Sequence, residues 1–481
     1  MFPVAICTIG CRLNQIESEA LADSFGKAGF ALVPWPSKIE GPGIIIVNTC
    51  TVTSKAEQKT RVLIRKALRQ NPDACVIVTG CYAKLDPLEI ESLESECLAD
   101  MHGTGAKRLF VPPGGEEGIG TAKSALLELP GHILDSAPCA DGLPGIVGAW
   151  MALQGGACRD DGSPGGNAGG RDPFGFRPRE FTFHSRGYLK IQDGCDNHCT
   201  YCRTRLARGP GVSLSPETAL AEVRMLEEKG CAELTIAGVN LIQYRHSGLD
   251  LAGLLGRLLE GSGTIALRLS SLEPDGIGEE LVSVLAHPRI RPHFHLSVQS
   301  GSDAVLRGMG RAYKARAVEE AAVLLRRAKD NPFLACDMIS GFPGETEDDF
   351  GQTLALCERI GFAWIHSFPF SPRPGTPAFS LSGRVHEKEI KRRADVMTKL
   401  AWRGRRAYAE AWLGREVSAI VEKGPTGDGR CHAVSENYLK LIVNCADMVP
   451  APGTPIRCIP ASLCSGANGE TPDAMADMVG Q

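Results

Sequence analysis

The chain has 481 residues, 43% hydrophobic and 22% charged, with 18 cysteines and a formal net charge of −4. That length exceeds what one compact core serves, so roughly two to four domains are expected, and the composition excludes disorder along the whole chain. The charge gives no global footprint for nucleic acid, so any such signal must be local.

No run reaches the roughly 18 apolar residues of a membrane span. The opening "MFPVAICTIGC" lacks the basic and long apolar regions of a secretory signal, which predicts a cytoplasmic chain with no membrane partner. In that reducing setting, clustered thiols point to metal or redox chemistry more than to disulfides.

From Val4 to about Phe110, apolar runs such as "GIIIVNTC" and "ACVIVTGC" alternate with amphipathic stretches such as Ser54 to Gln70. This βαβ rhythm predicts a doubly wound N-terminal domain over 1–110. Cys11, Cys50 and Cys81 each follow a strand-like run and precede a helix-like one. Neighbouring strand C-termini in such a sheet open onto one crevice, so these three are candidates for a shared metal centre; each alone is as well explained as a buried thiol. Residues 111–180 are dense in Gly, Pro and Asp and read as a linker or insertion, with one short helix over Thr121 to Leu129.

Over 181–384 six strand-like runs, from "GYLKIQDG" to "FAWIHSFPFSP", alternate with amphipathic stretches. Six βα repeats predict a parallel barrel or part of one, with the active groups in loops at the strand C-termini. A basic helical connector follows over 385–413, where Lys388, Lys391, Arg392, Arg393, Lys399, Arg403, Arg405 and Arg406 could present one face to phosphates or form an ordinary solvated face. Short alternating runs over 414–465 predict a small antiparallel β-barrel, whose Arg430, His432, Tyr438 and Lys440 suit a single-stranded nucleic acid. The small polar residues 466–481 read as a disordered tail.

The densest chemistry is "IQDGCDNHCTYCRTR", with Cys195, Cys199 and Cys202 inside eight residues. A zinc ribbon needs a second cysteine pair nearby, and the next thiol is Cys231 on a predicted helix end. Three thiolates fit an iron-sulfur cube with one iron left open for a chelating small molecule; a degenerate zinc site is the plain alternative. His198 has no partner at ligand spacing and reads as a loop residue. "GFPGET" is a turn and helix start with Thr346 as N-cap, not a phosphate loop, because the lysine of that motif is absent.

"GCDNHCTYC" after a strand in a six-fold βα domain resembles the radical S-adenosylmethionine superfamily. With "GCRLNQIES", "NTCTVT", "TGCYAK", "LSSLEPD", "HLSVQSGSDAVLRGMGRAY", "GFPGETEDDF" and "SPRPGTPA" in order, the chain resembles the radical methylthiotransferases over all but 111–180 and the tail. The resemblance implies an α/β multidomain protein: a flavodoxin-like N-terminal domain, a partial (β/α)6 radical SAM barrel and a small C-terminal TRAM β-barrel. "GCRLNQIES" and "QDGC" look most like the branch that methylthiolates C2 of N6-threonylcarbamoyladenosine at tRNA position 37, with isopentenyladenosine and a ribosomal-protein aspartate as the other branches.

The resemblance also implies two [4Fe-4S] clusters, one on Cys195, Cys199 and Cys202 that cleaves S-adenosyl-L-methionine and one on Cys11, Cys50 and Cys81 that carries sulfur. S-adenosylmethionine would serve both as methyl donor and as radical source. Tyr201 is placed near the adenine or in the core; Gly238 and Asn240 of "AGVN" fall where the superfamily contacts the methionyl amine; Ser271, Gln299 and Arg311 are candidates for the ribose or carboxylate, or plain loop residues. Implied partners are the tRNA anticodon stem-loop and a reductant such as flavodoxin or ferredoxin. One departure stands out: where the family has an aliphatic stretch between the third cysteine and "ARG", this chain has "RTRLARG", with Arg203 and Arg205 beside the site.

Overall fold

The computed structural model describes residues 2–36, 41–100, 107–113, 123–137, 142–155, 172–424, 429–445, 448–464 and 472–479. The chain divides into two compact units: Met1–Thr182 with Asp193–Asp196 and Cys202–Gly211, and Phe183–Gln192 with Asn197–Tyr201 and Val212–Gln481.

In the first unit β1 (Val4–Thr8), β2 (Ile44–Thr49), β3 (Cys75–Gly80) and β4 (Leu109–Phe110) pair in parallel in that order. Leu32 bridges Val4 on the outer side of β1. Counting that bridge as the second strand gives the flavodoxin order 2-1-3-4-5 that the family resemblance implied. Every residue of β2 and β3 is buried, as runs of Ile and Val in a parallel sheet require. One face packs Ile45, Val47, Val76 and Val78 against Ile64, Leu68 and Leu93; the other packs Ile44, Ile46 and Ile77 against Leu21 and Phe25.

The segment 111–180, read from the sequence as a linker or insertion, carries helical structure in its described part. Helices Leu129–Asp135 and Gly142–Gly155 carry Leu129, Ile133, Val147, Trp150 and Met151 into the second of these cores, with Phe176 beyond them. Their glycines and prolines hid apolar residues at helical spacing, and Gly148 lets its helix approach the Phe110 ring, 3.3 Å from where a Cβ would sit. Of the short helix expected over Thr121 to Leu129, the described part includes a 3-10 turn at Ala125–Leu127. Residues 114–122, 138–141 and 156–171 lie outside the described residues.

Along the chain follow β5 (Gly187–Lys190), the short β6 (Gln192–Asp193) and β7 (Val212–Ser213), then β8 (Glu233–Ala237), β9 (Ala266–Leu269), β10 (His293–Gln299), β11 (Phe333–Ser340) and β12 (Trp364–Pro369). In the second unit β5-β8-β9 and β10-β11-β12 form two parallel sheets, linked by parallel bridges Leu267 to Ile290 and Leu272 to Leu296. These are the six strands read from the sequence, in chain order. Helix Glu347–Ile360 starts with the predicted Thr346 cap, completed by Asp349 as a capping box.

The C-terminal barrel closes in the order β13 (Val417–Val421), β14 (Arg430–Ser435), β15 (Lys440–Asn444), β17 (Ala474–Met478), β16 (Pro455–Leu463). The disordered tail expected over 466–481 is therefore corrected at Ala474–Met478. That segment alternates buried Ala474 and Ala476 with outward residues and pairs on both sides, in parallel with β15 and antiparallel with β16. Residues 465–471 and 480–481 lie outside the described residues.

The barrel shares a core with the strands before it, where Phe333 and Ala335 of β11 meet Tyr408, Val417, Leu439 and Leu441. Beside it, buried Glu233 receives Arg268 at 2.7 Å and Arg291 at 2.8 Å, and Arg268 also donates to the Ser435 carbonyl of β14.

Helix Glu387–Glu410 is less a phosphate-binding face than its composition implies. Arg392 and Arg393 pair with Glu347 and Glu389, Arg403 with Glu358, Arg405 with Asp473 and Arg406 with Glu410. Five of its eight named cations are thus spent on carboxylates, two of them, Arg393 and Arg405, in the interior. Tyr438, one of the four barrel residues read as suiting nucleic acid, is half-buried against His293 and Phe333.

Candidate active site

The strands of the first unit end level. Thr8 lies opposite Asn48, Asn48 opposite Thr79, and Thr49 opposite Gly80. Cys50 and Cys81 come directly after Thr49 and Gly80, and Cys11 three residues after Thr8, so strand register brings them to one sheet edge. Cys11 caps helix α1 (Arg12–Lys27) without using its sulfur, Cys50 is buried between β2 and α2 (Ser54–Gln70), and Cys81 opens the short helix α3 (Cys81–Leu85).

The backbone between them is tight. A Cβ on Gly10 would lie 2.8 Å from Cys50 Cβ, and one on Gly80 only 2.3 Å from the Thr49 carbonyl; both glycines have positive φ, at +130° and +104°. Only glycine fits either place.

Burial pushes the Cys50 thiol up to about 12, with Cys11 and Cys81 adding to the rise. Burial likewise raises Cys81, against the pull of Arg208 and Lys123. Buried thiols of this kind stay protonated, and serve as thiolates only where a cation takes the place of the proton. Among the described residues, the one trio of ligating groups within 4.8 Å of one another is His295, Asp337 and His366.

Of the second cysteine set, Cys195 and Cys202 belong to the first unit and Cys199 to the second. In the first, the Cys195 amide donates to the Gly209 carbonyl at 3.1 Å and the Cys202 sulfur accepts from the Thr204 amide at 3.3 Å. Arg203 pairs with Glu57 at 3.2 Å and Asp86 at 2.9 Å, while Arg205 donates to the Asp196 carbonyl and so fastens the loop to itself.

In the second unit, Arg311 Nη1 donates to the Cys199 sulfur at 3.2 Å. Thr200 is gripped on both sides, its amide donating to Met309 O and its carbonyl accepting from Ala378 N. The "GMGRAY" and "SPRPGTPA" motifs thus hold the cysteine segment.

The remaining predicted cofactor contacts separate into two kinds. Tyr201, partly buried, leans on Val305, Met309, Phe342 and Ala378. Gly238 lies where a Cβ would press Gln192 at 3.0 Å; the Asn240 amide donates to Gln192 Oε1 and its side chain caps the turn Leu241–Gln243. Ser271 is half-buried after β9, and Gln299 is buried at the end of β10 with φ +70°.

Arg311 is engaged by protein groups on every side: Tyr313, the Ser297 carbonyl, Glu273 and Cys199. Burial opposes its charge, yet Tyr201, Tyr313, Glu273 and Cys199 together hold its pKa above the usual range.

Two features were missed in the sequence. Gln192, one residue before the cysteine loop, shapes the Gly238–Asn240 turn. His295, Asp337 and His366 lie on three adjacent strands with His295 Nε2 3.0 Å from Asp337, and burial of the carboxyl is outweighed by the two imidazoles, which lower its pKa. No sequence spacing marks that trio, because strand pairing alone assembles it.

Comparison with known proteins agrees with this geometry. Residues 189–357 match the Radical SAM superfamily, and residues 3–99 match "Uncharacterized protein family UPF0004". A threonylcarbamoyladenosine tRNA methylthiotransferase, MtaB, of Treponema pallidum is 39% identical over 95% of this chain and 98% of its own. The protein of that name from Thermotoga maritima is 35% identical over 88% of this chain and 87% of its own. A tRNA-2-methylthio-N(6)-dimethylallyladenosine synthase of Jannaschia sp. is 30% identical over 89% and 85%. With one such relative aligned over almost its whole length, the chain belongs to the radical S-adenosylmethionine tRNA methylthiotransferases.

Proposed function

We propose that the chain methylthiolates C2 of N6-threonylcarbamoyladenosine at position 37 of tRNA, with S-adenosylmethionine as both methyl donor and radical source. Methylthiolation of tRNA follows from the family, as do a [4Fe-4S] cluster and S-adenosylmethionine. The finer substrate rests on the names of the first relatives, all of the threonylcarbamoyladenosine type.

In this reading Cys195, Cys199 and Cys202 hold the first cluster, which when bound supplies the electron that cleaves S-adenosylmethionine to a 5′-deoxyadenosyl radical. Such a cofactor is needed because C2 of adenine carries a C–H bond that no acid or base side chain removes. Arg311 orients the Cys199 sulfur, and Gly238 and Asn240 would contact the methionyl group of bound S-adenosylmethionine. A second [4Fe-4S] cluster sits on Cys11, Cys50 and Cys81. The observation that carries this reading is the convergence of those three cysteines at one sheet edge behind two obligatory glycines. A flavodoxin or ferredoxin delivers the electron, and the anticodon stem-loop is the bound part of the tRNA.

Nucleoside mass spectrometry of tRNA from a deletion strain tests the substrate. Loss of 2-methylthio-threonylcarbamoyladenosine, restored by the gene and not by a Cys50→Ala copy, is the expected result. Loss of the isopentenyladenosine product instead, or of neither, rejects it.

A further inference from the structure

The segment after the SAM-loop cysteines, "RTRLARG", reaches into the N-terminal cysteine site. Arg208 has a side chain only 1% exposed. Its Nη1 lies 3.0 Å from Asp193 Oδ1 and 3.1 Å from Glu17 Oε1, and its Nη2 donates to Asn14 Oδ1 at 3.1 Å. Glu17 is fully buried and also receives Lys123, itself 1% exposed, whose Nζ donates to Asn48 Oδ1 at 2.6 Å.

Asn14 and Asn48 tie this network to the cysteine loops. Asn14 Nδ2 donates to the Ile9 and Thr49 carbonyls, one residue before Gly10 and one before Cys50; Asn48 Nδ2 donates to Asn14 O. Five residues earlier in the same segment, Arg203 donates to Thr51, directly after Cys50. Ala207, the residue before Arg208, packs against Cys81, and a Cβ on Gly10 would lie 2.7 Å from Asn14 Nδ2 and 3.2 Å from Cys50 Sγ, so the side chains that hold Arg208 lie against the cysteine loops.

We propose that Arg208 and Lys123 are the positioning charges of the Cys11–Cys50–Cys81 site: buried cations, one lent by the SAM-loop segment, that stabilise the more negative state of an iron-sulfur group held there. Asp193 and Glu17 are the carboxylates that fix them. The proposal rests on the second cluster of the preceding reading. A buried cation near a cluster favours its reduced form, because reduction adds negative charge in a medium that screens it poorly. It also gives Arg203, one of the two charges that replace an aliphatic stretch, a place in the wall of the N-terminal cysteine site, through Thr51 and Glu57.

The test uses the full chain with Cys195, Cys199 and Cys202 changed to Ala, reconstituted anaerobically, so that the N-terminal cluster is the one chromophore. About four irons per chain establish that cluster, and none would remove the reading on which the proposal rests. In that background the midpoint potential is titrated by EPR for single variants.

Arg208→Met and Lys123→Met should each lower the reduced-to-oxidised ratio at fixed potential about tenfold, a shift of about −59 mV for one electron. Arg208→Lys should stay within about threefold of the parent, and Asp193→Asn and Glu17→Gln should move the potential the opposite way. Opposite signs for cation and carboxylate variants are a signature no packing defect produces. If Arg208→Met does not retain iron, Lys123→Met with Asp193→Asn carries the sign test. Shifts of one sign for both classes, or shifts below threefold in every iron-retaining variant, overturn the proposal.

Discussion

Gly80→Ala tests the cradle of the N-terminal cysteines most directly. The added methyl would sit 2.3 Å from the Thr49 carbonyl and 2.5 Å from its amide, against the 3.0 Å below which real Cβ contacts are essentially never found. Both neighbours are backbone, so neither can swing aside; β2 and β3 must part by roughly 0.7 Å where Thr49 pairs with Gly80. The positive φ adds about 1–3 kcal/mol of strain for a non-glycine residue.

Cys50 and Cys81 follow these two residues, so the displacement passes straight to their sulfurs. It exceeds the roughly 0.2 Å tolerance of metal-ligand distances several-fold. Anaerobically reconstituted Gly80→Ala should hold about four irons per chain where the parent holds about eight, and should still cleave S-adenosylmethionine while losing methylthiolation of tRNA. Gly351→Ala is the control, since a Cβ there meets nothing within 4 Å. A folded Gly80→Ala protein with undiminished iron and full product would refute the reasoning.

Other outcomes follow from the second unit. Burial works against ionised Glu233, but Arg268, Arg186 and Arg291 outweigh it and hold its pKa down at about 2 from 4.5. A depressed carboxyl contributes stability that is complete above the unfolded value and lost as pH falls from about 4.5 through about 2; about 3 kcal/mol is at stake. Urea unfolding of Glu233→Gln should show most of that deficit at pH 7 and less than half of it at pH 3; an equal deficit at both would contradict the assignment. Truncation before Asp473 removes β17 and the partner of buried Arg405. Hydrogen exchange over β13 to β16 should then accelerate by at least about 100-fold, consistent with the 3–5 kcal/mol typical of breaking a buried pair. Arg311→Met deprives Cys199 of its donor; 5′-deoxyadenosine formation should fall at least tenfold, Arg311→Lys should recover part of it, and an unchanged rate would free Arg311 from that role.

The strands and cysteines were legible because each rests on a local signal: continuous Ile and Val runs for β2 and β3, and strand-loop-helix punctuation around Cys11, Cys50 and Cys81. What escaped depended on partners far away in the chain. Arg208 looks like a surface charge until Glu17, 191 positions earlier, is brought beside it. The cations of helix Glu387–Glu410 suggested phosphate contacts because composition says nothing about Glu347, Glu358 or Asp473 opposite them. Helix Gly142–Gly155 was hidden by its own glycines, and β17 by its small residues, although both supply core positions. Each failure marks a place where tertiary partners outweigh local composition.

The stub-like flanks of the N-terminal sheet bear on self-association. Outside β1 the neighbouring strand shrinks to a bridge at Leu32, and at the far side β4 has two residues. Long apolar strands such as β2 and β3 are the segments that template intermolecular pairing when exposed. Here both are interior, and a second molecule finds little straight backbone to add to. Lengthening β4 by design would put that protection at risk before it touched the chemistry.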